Sequence, residues 1–165
     1  MNDLLHNLIE ALREELKQYG EMLAVLEQQQ QSVVQRQTSA LVQNVADINA
    51  QANVISAVRH EREQHRRNTA RRLGLEENAS FATIIPLLPQ DYRPLVQALV
   101  HENNSLLVRI QQRARQNQLL LSHAVELMQQ LINSILPGGN PKTYDNNGRL
   151  PVNNLPQRSI YEQVG

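Results

Sequence analysis

The stretch that decides the fold is Glu77–Pro94, ENASFATIIPLLPQDYRP, which holds three of the chain's seven prolines between two long proline-free segments. Pro86 and Pro89 end any helix that enters this stretch, because proline lacks the amide hydrogen and clashes with the preceding turn. Ser80 stands just before the apolar run and is a typical N-cap residue. The pattern therefore predicts a short, proline-bounded helix that connects two long helical segments.

The two proline-free segments, residues 1–85 and 95–136, carry apolar residues three and four positions apart, which is the spacing of one face of a helix. No glycine or proline marks the break within the first segment. The sequence RQTSA offers Thr38 or Ser39 as an N-cap, so the turn is predicted near residues 36–38. The predicted helices span about residues 2–35, 39–73, 80–85 and 91–136.

Composition favours helix packing over sheet. Hydrophobic residues make up 41% of the chain but aromatic residues only 3%, whereas strands favour aromatic and β-branched side chains. We therefore predict an all-α protein whose long antiparallel helices form a coiled-coil-like bundle over residues 1–136.

The C-terminal end of the last predicted helix, LLLSHAVELMQQLINSIL at Leu119–Leu136, is apolar on more than one face. One partner helix would not cover all of these side chains. Two interpretations remain open, namely an ordinary core against the first two helices and a surface for the amphipathic helix of a partner. The candidate binding residues are Leu120, Val125, Leu127, Met128, Leu131, Ile132 and Ile135.

The composition changes at Pro137, and residues 137–165 hold four prolines, four glycines and five asparagines. Such a segment cannot be helical throughout, and DNNG at Asp145–Gly148 is a strong turn signal. The alternatives are a plain disordered terminus and a flexible docking tail with spaced apolar residues, and we favour the second. The candidate docking residues are Tyr144, Gly148, Arg149, Leu150, Val152, Leu155, Ile160 and Tyr161.

Several classes of function are not expected. The formal net charge is zero, so the whole chain has no electrostatic preference for nucleic acid or anionic membrane. There is no cysteine, no catalytic motif, and no histidine pair at the spacing of metal ligands on a helix. We expect no enzyme activity, no metal and no cofactor. Without a secretory signal or a run of about 18 apolar residues, the expected location is the cytoplasm, with no membrane insertion.

The layout of the whole chain resembles the FlgN family of flagellar export chaperones. The sharpest local likeness is NNSLLVRIQQRARQNQLLLSHAVELMQQLI at Asn103–Ile132, followed by PKTYDNNGRL at Pro141–Leu150. The family's Tyr-x-x-x-Gly-(Arg/Gln) pattern is matched by Tyr144, Gly148 and Arg149. The resemblance covers about residues 1–150, so residues 151–165 lie outside it.

This resemblance implies a cytoplasmic chaperone that binds hook-associated junction proteins of the flagellum. Such a protein covers their aggregation-prone helical ends, prevents premature assembly and delivers them to the type III export gate. The apolar end of the last helix would then hold the cargo, and the tail would dock on cargo or gate. Uncovered apolar surface also predicts a possible homodimer when cargo is absent.

Two rival interpretations rest on other features. A homo-oligomeric coiled-coil scaffold fits the heptad-like spacing, although Asn103, Arg113 and Asn117 interrupt the apolar frame of the last helix. Binding to RNA or an acidic partner rests on the arginine-rich stretch at Arg59–Arg72 alone. Because no aromatic residues lie within that stretch for base stacking, we favour a solvated helix face.

Overall fold

Residues 2–135 are described by a computed structural model, and all regular secondary structure among them is helical, which confirms the all-α class. The chain divides into two units, residues 1–117 and 118–165, so the boundary falls inside the last helix. The helices are α1 (Asn2–Val34), α2 (Thr38–Arg72), α3 (Phe81–Ile84), a 3₁₀ turn (Ile85–Leu87) and α4 (Arg93–Ile135).

A tight turn reverses the chain between α1 and α2. Arg36 adopts a left-handed backbone with φ of 56°, and the amide of Gln37 donates to the carbonyl of Ser32 at 2.9 Å. This bond satisfies one of the free carbonyls at the end of α1, as in a Schellman motif. The N-cap of α2 is Gln37, whose side chain makes no capping bond. The predicted caps Thr38 and Ser39 were wrong, because the backbone geometry of α1 sets where the chain turns.

The apolar core of the first unit lies where α3 joins the long helices. It combines the N-terminal half of α1 with the C-terminal end of α2 and the N-terminal end of α4. These two ends lie on either side of the connector, residues 73–92, which includes α3 and the 3₁₀ turn. Its buried members are Leu5, Leu8, Ile9, Leu12, Ala70, Ile84, Leu88, Val96 and Leu99. Farther along α1 the buried positions include the amide of Gln29 and the hydroxyl of Ser32, so the interior becomes polar toward the α1–α2 turn.

The connector is fixed by a cap and by two buried aliphatic side chains. Ser80 is the N-cap of α3, and its hydroxyl accepts from the amide of Thr83 at 3.3 Å. Ile84 and Leu88 are almost fully buried in the core, while Pro86 lies in the 3₁₀ turn between them. Burying each of these side chains contributes about 1.5–3 kcal/mol before entropic costs. The short helix thus seals one end of the bundle.

Helix α4 runs parallel to α1 in the first unit. The side-chain amide of Asn103 donates to the carbonyl of Leu12 at 3.0 Å, and that of Asn117 donates to the carbonyl of Leu26 at 2.7 Å. From the first bond to the second, the residue number rises by 14 on α4 and by 14 on α1. The two helices therefore run in the same direction. The predicted antiparallel arrangement therefore describes α1 and α2, whereas α1 and α4 point the same way.

Two glycines allow a matched test of backbone conformation. Gly20 lies inside α1, Gly74 has a φ of 74° just after α2, and a methyl group at either position would meet no atom within 4 Å. Gly20→Ala is expected to raise the free energy of unfolding by about 1 kcal/mol, because alanine restricts the unfolded chain and favours helix. Gly74→Ala is expected to lower it by about 1 kcal/mol, because a Cβ disfavours the left-handed region. Urea unfolding followed by circular dichroism measures both changes. If both substitutions changed the free energy of unfolding in the same direction, the explanation by backbone conformation would be wrong.

Glu63 organises three arginines near the C-terminal end of α2. Its carboxylate accepts from Arg66, contacts Arg67 at 3.3 Å and Arg62 at 3.4 Å. Arg66 is buried and also donates to the carbonyl of Ala79, so the cluster ties α2 to the segment before α3. The sequence predicted that this arginine-rich stretch is a solvated helix face. That prediction is right for Arg67, which is exposed, and wrong for Arg66, which is buried and bonds to the connector.

The same carboxylate makes stability depend on pH. The hydrogen bond from Arg66 is the main reason that the pKa of Glu63 is lowered from 4.5 to about 2. A lowered folded-state pKa gives stability that is present above the unfolded pKa and is lost as the pH falls toward 2. We expect Glu63→Gln to lower the free energy of unfolding by roughly 1–2 kcal/mol at neutral pH. The difference from the unsubstituted protein should vanish between about pH 5 and pH 2, as measured by urea unfolding. Glu61→Gln, at an exposed position, serves as the control and should change little.

Candidate binding surface

The C-terminal part of α4 carries the most continuous exposed apolar surface among the described residues. Six of the seven candidate binding residues have exposed fractions between 48% and 66%, and Leu120 is half-buried. The last buried residue of α4 is Asn117. The interpretation of this segment as ordinary core therefore fails, and the interpretation as open surface is retained. The six exposed candidates are Val125, Leu127, Met128, Leu131, Ile132 and Ile135.

These residues form two adjacent rows on the helix. At 100° per residue, Leu120, Leu127 and Leu131 make one row, and Val125, Met128, Ile132 and Ile135 make the next. Together the rows cover an arc of roughly 160°, which is wider than the stripe of about 100° that faces a single partner. We call these seven residues the apolar arc. Its width suits two helices, or one groove, of a binding partner.

Outside the apolar arc, the surface of this segment is almost uncharged. Glu126 is the one formally charged side chain in residues 118–135, and it contacts the exposed His123 at 3.5 Å. Leu119 is also exposed, but it projects away from the apolar arc on the polar side. Binding at this segment would therefore depend on apolar burial, with little electrostatic contribution.

The first unit shows how the same helix behaves when it has partners. There, α4 buries Val96, Leu99, Ile110 and Ala114, and its polar breaks Asn103 and Asn117 bond to α1 carbonyls. Sequence reasoning placed both asparagines on the apolar frame but missed their role as hydrogen-bond donors. Their 14-residue separation, two heptads, was the available signal.

A buried ion pair was also missed. Glu15 is 3% exposed, and its carboxylate accepts from Arg62 at 3.0 and 3.2 Å. The hydroxyl of Tyr19 donates to the same carboxylate at 2.9 Å. Burial, followed by the negative charge of Glu15, raises the pKa of Tyr19 far above its ordinary value, so this phenol stays protonated. Glu15 and Arg62 are 47 residues apart in the chain, so their contact is not visible from local spacing.

The candidate docking residues of the tail, from Tyr144 to Tyr161, lie outside the described residues. Within residues 2–135, no group of three acidic, histidine or cysteine side chains is placed to hold a metal ion. None of the described helices combines the length and hydropathy that crossing a bilayer requires.

The family model described as FlgN protein matches residues 1–151. The chain belongs to the FlgN family. Members are flagellar export chaperones that bind flagellar proteins, and the family is not one of enzymes. No curated protein and no solved structure matches the chain significantly. Membership of the FlgN family thus gives this helical protein a general role as a chaperone in flagellar protein export.

Proposed function

We propose that this FlgN-family chaperone holds the amphipathic helical ends of hook-associated junction proteins on its apolar arc. In this proposal the chaperone keeps cargo from assembling in the cytoplasm and delivers it to the type III export gate. The observation that carries the proposal is the exposure of six of the seven arc residues, Leu120 being half-buried. Exposed apolar surface of this extent marks an interaction site, because leaving it in water is unfavourable.

The chemistry of the apolar arc suits an export substrate. Two amphipathic helical segments of the cargo can lie along the two rows with their apolar faces, each using residues three and four apart as anchors. Each aliphatic side chain that becomes buried contributes about 1.5–3 kcal/mol before the costs of association. Since few charged groups are involved, affinity should depend little on salt. Delivery requires that the cargo helix be released, and no buried ion pair has to break for this release.

We propose that the tail, residues 137–165, acts in a docking step separate from cargo binding by the apolar arc. Its spaced apolar residues and Tyr144, Gly148 and Arg149 are proposed to dock on the bound cargo or on the export gate. The family match extends to residue 151, so it includes Tyr144, Gly148 and Arg149 and excludes Leu155, Ile160 and Tyr161. Residues within the match are therefore the first to test for gate binding.

The test is isothermal titration of the protein with the C-terminal helical segment of a hook-associated junction protein from the same organism. Met128→Asp and Leu131→Asp place one charge on each row of the apolar arc. Each substitution is expected to weaken binding about 100-fold, since a carboxylate buried among apolar groups stays unpaired. Leu119→Asp is the matched control, because it adds the same charge at an exposed leucine outside the apolar arc. It should change affinity less than about threefold.

A version that ends at Leu136 separates the roles of arc and tail. Equal binding by both lengths would place the cargo site on the helix and leave the tail for the gate. Binding only by the full chain would make the tail part of the cargo clamp. If neither binds, while circular dichroism shows both to be helical, the cargo proposal is wrong.

A second candidate function, a homo-oligomeric coiled-coil scaffold, uses the same observation. Two copies could bury their apolar arcs against each other in place of cargo. Sedimentation equilibrium of the full chain distinguishes the two. A dimer that dissociates when the cargo helix is added supports the chaperone with a cargo-free homodimer, whereas an oligomer that persists and excludes cargo supports the scaffold.

A further inference from the structure

The apolar arc is exposed on the helix that leads directly into the tail. Within residues 2–135, no other segment buries Val125, Met128 or Leu131. From Leu120 to Ile135 the arc extends along about 22 Å of helix. Thirty more residues, 136–165, follow it in the sequence. The nearest source of apolar side chains that could cover the arc is therefore the chain itself.

The tail contains one stretch whose composition suits the apolar arc. Residues 150–161, LPVNNLPQRSIY, include a single charged side chain, that of Arg158. The one charged side chain of residues 118–135, Glu126, projects from the side of α4 opposite the arc. A segment with few charges loses little hydration when it covers such a surface. Besides its prolines, the stretch offers five apolar side chains, which are Leu150, Val152, Leu155, Ile160 and Tyr161.

Two prolines favour an extended backbone for this stretch. Pro151 and Pro156 fix their own φ angles and restrict the residues before them to extended conformations. An extended chain of this kind advances about 3.1 Å per residue, so residues 150–161 span roughly 34 Å. The arc extends over only about 22 Å. The stretch is therefore long enough to lie along the whole furrow between the two rows of the arc.

The residues between the helix and this stretch allow the chain to reverse. Gly138 and Gly139 follow Pro137, and glycine adopts the backbone angles of a sharp turn without a steric penalty. Fully extended, residues 136–149 reach about 45 Å, so residue 150 can lie at either end of the arc. A linker of this length gives an effective concentration in the millimolar range. At micromolar protein, a second copy competes poorly with the chain's own tail.

We propose that residues 150–161 of the same chain occupy the apolar arc when no partner is bound. The contact is weak and reversible, since it buries five side chains at the expense of ordering an extended segment. Apart from its first two residues, this stretch lies beyond the family match, which ends at residue 151. The inference therefore concerns this chain in particular. Displacement by cargo, a step that rests on the proposed function, frees Tyr144 and its neighbours for docking.

The test is paramagnetic relaxation enhancement of the full chain, which has no cysteine of its own. A nitroxide is attached at Asn153→Cys. Amide signals of residues 120–135 should lose at least about half of their intensity, because a tethered contact is substantially occupied. Met128→Asp should restore these signals, because it places a carboxylate in the contact. Leu119→Asp, the matched control outside the arc, should leave the signals broadened.

Leu155→Asp tests the other side of the contact and cannot disturb α4, because it lies in the tail. It should restore the arc signals as Met128→Asp does. Arc signals that keep their intensity beside the nitroxide, or broadening that survives Leu155→Asp, would overturn the proposal.

A mixed sample distinguishes the chain's own tail from that of a second copy. Isotope-labelled protein without nitroxide is mixed with unlabelled protein that carries it at Asn153→Cys. Full-strength arc signals in this mixture support the contact within one chain. Broadened arc signals assign the contact to a second copy and overturn the proposal. None of these samples contains cargo helix, so failure here is distinct from failure of the cargo proposal.

Discussion

Replacing Arg62 by alanine is expected to lower the free energy of unfolding by about 3–4 kcal/mol, because it leaves the buried carboxylate of Glu15 without its cation. Both carboxylate oxygens accept from Arg62, at 3.0 and 3.2 Å. Arg62 also lies 5.9 Å from the ring centroid of Phe81, so the substitution removes a cation–π contact as well. Among the described residues, the hydroxyl of Tyr19 then remains as the one side-chain donor to Glu15, which is too little to offset burial of a full charge.

Urea unfolding at neutral pH measures this loss, with Arg67→Ala as the control. Arg67 is exposed and makes a single contact with Glu63 at 3.3 Å, so its removal should cost less than about 1 kcal/mol. Adding Glu15→Gln to Arg62→Ala should recover part of the loss, because a neutral amide is less costly to bury than an unpaired charge. Equal losses for Arg62→Ala and Arg67→Ala would show that the pair is solvated and would contradict the argument.

Asn117→Ala is expected to lower the free energy of unfolding by about 3 kcal/mol, the second large effect. Asn117 is 0% exposed, and its amide donates to the carbonyl of Leu26 at 2.7 Å and to Oε1 of Gln29 at 3.0 Å. The substitution leaves the buried Oε1 of Gln29 unpaired, removes the second hydrogen bond that the carbonyl of Leu26 accepts in addition to its bond within α1, and opens a small cavity. The gain in helix propensity offsets about 0.5 kcal/mol of this.

Asn104→Ala is the control for Asn117→Ala, because Asn104 is an exposed asparagine on the same helix. It should be neutral or slightly stabilising, since only helix propensity changes. Differential scanning calorimetry gives both values. If Asn117→Ala were as stable as Asn104→Ala, the bond to Leu26 would contribute nothing to the packing of α4 on α1.

The apolar face of α1 was predictable because its repeat is regular. Leu5, Leu8, Leu12, Tyr19 and Leu26 follow steps of three, four and seven, and all five are buried. The cap of α3 at Ser80 was predictable for a similar reason, since capping depends on residues within one turn. The N-cap of α2 at Gln37 was not predictable, because it depends on Arg36 adopting a conformation that arginine rarely adopts.

For the candidate binding surface, too, one part was predictable from the sequence and another part was not. Local composition indicated that the end of α4 carries more apolar residues than one face needs, but it left core and open surface equally possible. The exposure of Met128 and Leu131 decided between them. Exposure is a property of what lies opposite a helix, and periodicity contains no information about the opposite side.

By itself, the sequence determined where the chain is helical, where proline interrupts it, and which family it belongs to, because these depend on short-range spacing and residue order. Only the tertiary structure decided that Glu15 is paired with Arg62, that Asn103 and Asn117 align α4 with α1, and that the apolar arc is exposed. The physical reason is that the free energy of a polar group depends on its partners and its burial. Partners 47 to 91 residues away in the chain are brought together by the fold alone.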